Sequence, residues 1–275
     1  MMVHAASRSA LARMRERLAE VLPQLPGADG SHQLAEQLYA AAGVLAQQPR
    51  LRRTLGDPAT QPADRVGLVR RLFGGRLDEP AVGLLADAVS QRWSSPWDLA
   101  DSLELLADDA LLAAAERQGE LDQVEDELFR FERILGSTGE LVSALDEQGV
   151  PAERRQGLLR TLLTGKVNRI TAELLNHAVA SGRKRSLLLA IDDLLEASAA
   201  RRERSVARVV SATELSQQQT ERLAASLSQL YGRPISVRSA VDPSVRGGLQ
   251  VRVGDEVIDG TVSSRLAAAR AALAG

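Results

Sequence analysis

The feature that most constrains this chain is that it resembles itself. Displaced by 90 residues, GLVRRLFGGRLDEPAVGLLADAV from position 67 lies over GLLRTLLTGKVNRITAELLNHAV from position 157. Gly67, Leu68, Arg70, Leu72, Gly75, Leu84, Leu85, Ala88 and Val89 meet Gly157, Leu158, Arg160, Leu162, Gly165, Leu174, Leu175, Ala178 and Val179. Upstream, Leu51 and Leu55 meet Leu141 and Leu145, and a one-residue slip brings Pro62-Ala63-Asp64-Arg65 onto Pro151-Ala152-Glu153-Arg154. Self-similarity of this kind marks a supersecondary unit used twice. Four or five short helices per unit are expected, over about 31–118 and 119–204.

A separate helix precedes the repeats. Leu11, Met14, Leu18, Val21 or Leu22, and Leu25 recur at helical spacing, which predicts an amphipathic helix over 9–25, closed by Pro23 and Pro26-Gly27. A second helix is expected over 31–47, before Pro49. Leu121, Val124, Leu128, Phe131 and Leu135 form one apolar seam, against which another helix must pack. Beyond residue 205 the period changes. VARVVSA (206–212), ISVRSAV (235–241), LQVRV (249–253) and EVI (256–258) have strand character, the last after a Gly254-Asp255 turn. Ser216 with Gln219 signals a capping box for a helix ending at Tyr231-Gly232, and a final helix is expected over 261–272. The expected fold is mainly α. A helical bundle with an internal duplication (1–204) is followed by a small β-α-β-β-β-α domain (205–275), with the boundary near the RRER stretch at 201–204.

Composition removes several function classes. The formal net charge of −2, with pI 6.0, lacks the basic excess of most nucleic-acid binders. Aromatic residues at 3% leave few stacking platforms for bases. Absence of cysteine excludes disulfides, thiol catalysis and thiolate metal sites. The charged N-terminal sequence does not read as a secretory signal, and apolar runs such as ALLAAA (110–115) and LLLAI (187–191) are far too short to span a bilayer. Membrane association is therefore expected only through a partner.

The candidate chemistry is sparse. In VDPSVRGGLQVRVGDEVIDG (241–260), Gly247-Gly248 leads into a strand rather than a helix, the wrong topology for a phosphate cradle. Gly165-Lys166 lacks both the upstream glycine and the following Ser/Thr of a P-loop. Asp242, Asp255, Glu256 and Asp259 do not match calcium-loop spacing, and Asp242 reads as a turn former and Asp259 as a helix cap. His4, His32 and His177 are widely separated and no second histidine lies near any of them, and His177 reads as a surface or boundary residue rather than a ligand. The basic run Arg183-Lys184-Arg185 reads as a solvated turn between helices. No catalytic, cofactor or metal site is expected. The helix grooves of the bundle, which can take the apolar face of a partner helix, survive this elimination.

The C-terminal run ISVRSAVDPSVRGGLQVRVGDEVIDGTVSSRL (235–266) resembles the delta subunit of the F-type ATP synthase, the oligomycin-sensitivity-conferring protein family. The resemblance rests on Val241-Asp242, Gly247-Gly248, Gly254-Asp255 and Asp259 before a hydroxyl residue. It is supported by VVSATELS (209–216) and the Gly182-Arg183 turn. The chain is longer than ordinary bacterial members by its repeated unit, and its Arg-rich character is similar to actinobacterial forms. The resemblance implies a non-catalytic peripheral-stalk subunit on the cytoplasmic face of the plasma membrane. Its implied partners are the N-terminal helix of the alpha subunit and the C-terminal region of the b subunit. It further implies an alpha-helix groove using Leu11, Met14, Leu18 and Leu22 with Leu174, Leu175, Ala178 and Val179. The duplication leaves open whether Leu84, Leu85, Ala88 and Val89 complete that groove instead. A competing expectation, an RNA-binding protein, meets only two more Arg than acids beyond residue 205.

Overall fold

The computed structural model describes residues 5–147, 149–181, 186–204, 206–232, 234–242, 245, 247–253 and 256–261. Helix α1 (Ala5–Val21) ends earlier than its apolar spacing suggests, passing into a single 3-10 turn, Leu22–Gln24, with Pro23 in its first positions. Pro26-Gly27 does not close that helix but opens the next. Pro26 is the N-cap of α2 (Gly27–Gln47), and Gly27 has φ +59°. Then follow α3 (Pro49–Gly56), α4 (Pro62–Phe73), α5 (Glu79–Ser90) and α6 (Pro96–Gln118). The second set is α7 (Leu121–Ser137), α8 (Gly139–Asp146), α9 (Ala152–Leu163), α10 (Arg169–Ser181) and α11 (Leu187–Arg204).

The duplication is visible in three dimensions, helix for helix. α3 and α8, and α4 and α9, start and stop 90 residues apart. Gly75 and Gly165 both follow their helix in the left-handed region, at φ +72° and +70°. The prolines mislead by one position: Pro62 begins α4, whereas Pro151 is the N-cap of α9, so Arg65 corresponds to Arg155 and not to Arg154. Both arginines are buried. Arg65 Nη1 donates to Leu55 O at 3.5 Å and Gln91 O at 3.3 Å, and Arg155 Nη1 to Leu145 O at 3.1 Å. Each guanidinium thus satisfies a carbonyl near the end of the preceding short helix, where no intrahelical donor exists.

α6 is the axis of the bundle. Ser95 caps its start by accepting from Trp97 N–H, Pro96 fits the first turn, and Gly119 ends it at φ +74°. Its sequence is apolar on nearly every side, the pattern of a helix enclosed by others. It packs most extensively on α2, also on α1, α3 and α5, and to a lesser extent on α7, α10 and α11, so one core runs through both copies. Arg201 of α11 donates from Nη1 to Glu116 Oε2 at 2.9 Å and from Nη2 to Asp109 O at 3.1 Å, fastening α11 to its counterpart α6. Arg117 donates to the carbonyls of Leu22, Leu25 and Gly27, pinning the turn after α1; desolvation lowers its pKa.

The C-terminal part is a four-stranded mixed sheet with its own small core. β1 (Val206–Ser211), α12 (Gln217–Tyr231), β2 (Ser236–Val241), β3 (Leu249–Val253) and β4 (Glu256–Asp259) give the strand order β2-β1-β3-β4. β2 runs parallel to β1, while β3 and β4 are antiparallel to their neighbours. The Ser216–Gln219 capping box forms, and Gly232 ends α12 at φ +63°. Leu227 of α12 lies on the face made by Ala207, Val209, Val251 and Val253. Gly247 and Gly248 both have positive φ. A Cβ on Gly248 would come within 2.4 Å of Gly260 O. Asp242 O accepts from Val245 N–H at 3.1 Å, a turn. Asp259 Oδ1 accepts from Thr261 N–H at 3.0 Å, and that bond lowers its pKa. The Gly254-Asp255 turn, the run 183–185 and the helix expected over 261–272 lie outside the described residues, Thr261 excepted. Among the described residues, no helix is long and apolar enough to cross a membrane.

Candidate partner-binding groove

α1 shows how this repeat receives a helix. It lies on α5 and α6 of the first copy with Ala10, Met14 and Leu18 buried, and Leu84, Leu85, Ala88 and Val89 are buried in the same core. Its polar edges are tied down by Ser7 Oγ to Asp98 Oδ2 at 2.6 Å, Arg15 to Asp109 at 2.8 Å and Arg17 to Asp87 at 3.0 Å. In the first copy, therefore, this seat is filled from within the chain.

The equivalent surface of the second copy faces a cavity of about 1000 Å³. At the offset of 90 residues, His177 stands where Asp87 stands in the first copy, Ala178 where Ala88 does and Ser181 where Gln91 does, and all three line the cavity. Leu194, Ala197 and Ala200 of α11 extend this wall. The opposite wall comes from Leu11, Leu18 and Leu22 of the first helix and its turn, and the floor from α2 and α6. The apolar walls carry a strongly acidic lining: Asp98, Asp101, Glu104 and Asp108 descend one side of α6, and Glu153 and Glu196 stand across from them.

Where α2 meets α10, the rings of Tyr39 and His177 stack at 3.5 Å between centroids and 4° between planes. Tyr39 Oη donates to Asp108 Oδ1. Burial holds the His177 pKa at about 4, against the opposing pull of Glu173, so the ring is neutral and packs as an aromatic. Burial and the Asp108 charge push the Tyr39 phenol well above its ordinary range. Nearby, His32 Nε2 lies 2.6 Å from Glu173 Oε2, and Arg169 Nε donates to Glu173 Oε1 at 2.8 Å.

The expected contact residues divide into two groups. Leu11, Leu18, Leu22 and Ala178 come together at the cavity, with Leu11 and Ala178 half-buried. Met14, Leu174, Leu175 and Val179 are at most 1% exposed and belong to the core, because the apolar stripe of each helix is already used by its neighbours. Tyr39, Trp97 and the α6 carboxylates line the cavity without having been singled out by sequence reasoning. The acids had a readable signal, since positions 98, 101, 104 and 108 recur at helical spacing.

Comparison with known proteins finds a matching family and relatives over the full length. A family model described as ATP synthase delta (OSCP) subunit matches residues 108–273, which takes in the second copy and the sheet and leaves most of the first copy outside. A Streptomyces griseus protein named ATP synthase subunit delta is 45% identical over 273 residues, covering 99% of this chain and 100% of that protein. Its namesakes are 44% identical in Streptomyces coelicolor, over 96% of each chain, and 40% identical in Rhodococcus opacus, over 98% of this chain and 99% of that one. A chain in the mitochondrial ATP synthase hexamer of Toxoplasma gondii aligns at 21% identity with a TM-score of 0.30, over 61% of this chain and 95% of that chain. By both the family model and full-length relatives, the chain belongs to the ATP synthase delta (OSCP) subunit family.

Proposed function

We propose that this subunit is a non-catalytic stator element of an F-type ATP synthase. In this reading it ties the N-terminal helix of an alpha subunit to the C-terminal region of the b subunit at the cytoplasmic face of the membrane, and so resists rotor torque. The helical part, residues 1–204, takes the alpha helix, and the small domain, 205–275, faces the b subunit. One observation carries the alpha-binding part of the reading. The seat that α1 fills on the first copy is an open cavity of about 1000 Å³ on the second. The second copy is also the part that matches the family model. The apolar walls suit a helix laid in a groove, and the contact set is Leu11, Leu18, Leu22 and Ala178, with Met14, Leu174, Leu175 and Val179 supporting it from the core. A stator contact must dissociate slowly, which favours a broad apolar interface over isolated ion pairs.

The test is calorimetric titration of the full chain with a synthetic peptide of the alpha subunit's N-terminal helix. Leu11→Arg and Ala178→Arg place a charge on the two opposing walls without entering the core, and each is expected to weaken binding at least about tenfold, or 1.4 kcal/mol. Leu72→Arg, half exposed on α4 and away from the cavity, is the control. Binding that is indifferent to both wall variants would sink the assignment to this groove.

A further inference from the structure

The two copies meet head to tail. Tyr39 of α2, on the first copy, is covered by α10 of the second, where its ring stacks on that of His177. A contact of this sense between like units leaves the same face of the last unit uncovered. At the offset of 90 residues the place of Tyr39 is taken by Phe129 of α7, and Phe129 is 50% exposed. Around it the second copy departs from the first. Ala42 and Ser102, both buried, have as their counterparts Glu132 of α7 and Asp192 of α11.

These residues share one face. Glu125, Phe129, Glu132 and Gly136 recur at helical spacing along α7. α11 packs alongside, with Arg202 Nη1 3.2 Å from Glu125 Oε1 and the Asp192 carboxyl hydrogen-bonded to that of Glu132. Burial and the Asp192 contact raise the Glu132 pKa. Arg202 is held by Glu125, and among the described residues no cation pairs with Glu132 or Asp192. A half-exposed ring beside two carboxyl groups that share one proton offers a cation two attractions, the face of the ring and the negative charge. Phe129, Glu132 and Asp192 do not line the cavity, so this face lies apart from the groove.

We infer that the face shared by α7 and α11 is a second docking surface, for a basic amphipathic helix of a partner protein, with an arginine of that helix laid flat on Phe129 and its guanidinium received by Glu132 and Asp192. The first copy supplies the pattern, since there a helix covers Tyr39 and sets a flat imidazole on the ring. An arginine does the same with a planar cation. A second copy of this chain fits less well. Its α5, the counterpart of α10, would bring Asp87 onto Phe129 where His177 meets Tyr39, and so set a third carboxylate beside Glu132 and Asp192. The inference stands whether or not the groove takes the alpha helix.

The test uses the full chain and a fluorescent helical peptide of about 20 residues, with leucines along one edge flanked by arginines. A control peptide carries glutamine for arginine. Anisotropy is expected to show binding by the arginine peptide alone, weakened by salt and reduced at least about tenfold by Phe129→Ala and by Glu132→Gln/Asp192→Asn. Ala178→Arg, which sets a cation in the groove, should leave it unchanged. Because the chain has no cysteine, a dye on Gly136→Cys can report the place of binding. That position is exposed, with nothing within 4 Å of the added carbon, and the dye's emission should change when the peptide binds. Circular dichroism checks that the variants are folded, as expected for a half-exposed ring and a relieved carboxyl pair. Absence of binding, equal binding of the glutamine peptide, full affinity in both face variants, or a silent dye overturns the inference. Loss confined to Ala178→Arg does so in favour of the groove, and a concentration-dependent dimer that Phe129→Ala dissolves does so in favour of a second copy.

Discussion

Acid should loosen the contact between the two copies through a single imidazole. His177 is held neutral, with a pKa of about 4 in the folded chain against 6.5 when exposed, by burial against Tyr39. Between those values the unfolded chain binds the proton and the folded chain does not, so stability rises with pH. The contribution is fully present above about pH 6.5 and is lost progressively as the pH falls toward 4. At about pH 5 nearly all unfolded chains and roughly one folded chain in ten carry the proton, a linkage cost of about 2 kcal/mol relative to pH 7.5. Phenylalanine keeps a flat ring against Tyr39 and cannot titrate. Urea unfolding of the wild type and of His177→Phe, at about pH 7.5 and pH 5, isolates the term from the many carboxylates common to both. The variant should lose about 2 kcal/mol less between the two conditions. If both proteins lose the same amount, to within about 0.5 kcal/mol, the ring is not desolvated as described and the stacked contact does not hold it neutral.

Four further variants test particular backbones and carbonyls. Gly248→Ala combines φ +83° with a Cβ directed at Gly260 O, so thermal unfolding should show a loss of about 1–3 kcal/mol. Gly157→Ala, mid-helix in α9 with nothing within 4 Å of the added carbon, should instead gain about 0.5–1 kcal/mol. Arg155→Met removes the donor to Leu145 O in a buried setting and should cost about 1–3 kcal/mol by urea denaturation. Arg65→Met, its counterpart, should show a loss of similar size if the two sites are equivalent.

Periodicity made the repeat, the capping box at Ser216 and the strand alternation legible in the sequence, because each is a local pattern that tertiary packing then reuses. Prolines were a poorer guide. A proline suits both the N-cap region and the first turn of a helix, so aligning Pro62 with Pro151 concealed the true pairing of Arg65 with Arg155. The groove was only partly legible. Apolar spacing identifies a stripe but not what covers it, and Met14, Leu174, Leu175 and Val179 are covered by their own chain. The cavity's other walls are alanines and carboxylates, residues that read as ordinary helix surface until two copies are brought face to face. His177 had no sequence signal at all, since its partner Tyr39 is 138 positions away.

α6, enclosed by helices of both copies, has a consequence for how the molecule opens. Away from the carboxylate side that lines the cavity, its turns are covered by α2 and α3 on one side and by α10 and α11 on another, so fraying of one copy alone does not uncover them. Hydrogen exchange along its middle turns should require the opening of both copies together, at the free energy of the whole helical body. Gene duplication often leaves beads on a string, each able to unravel alone. Here it left two copies sharing one axle, so a pull applied to either copy is opposed by the cohesion of both.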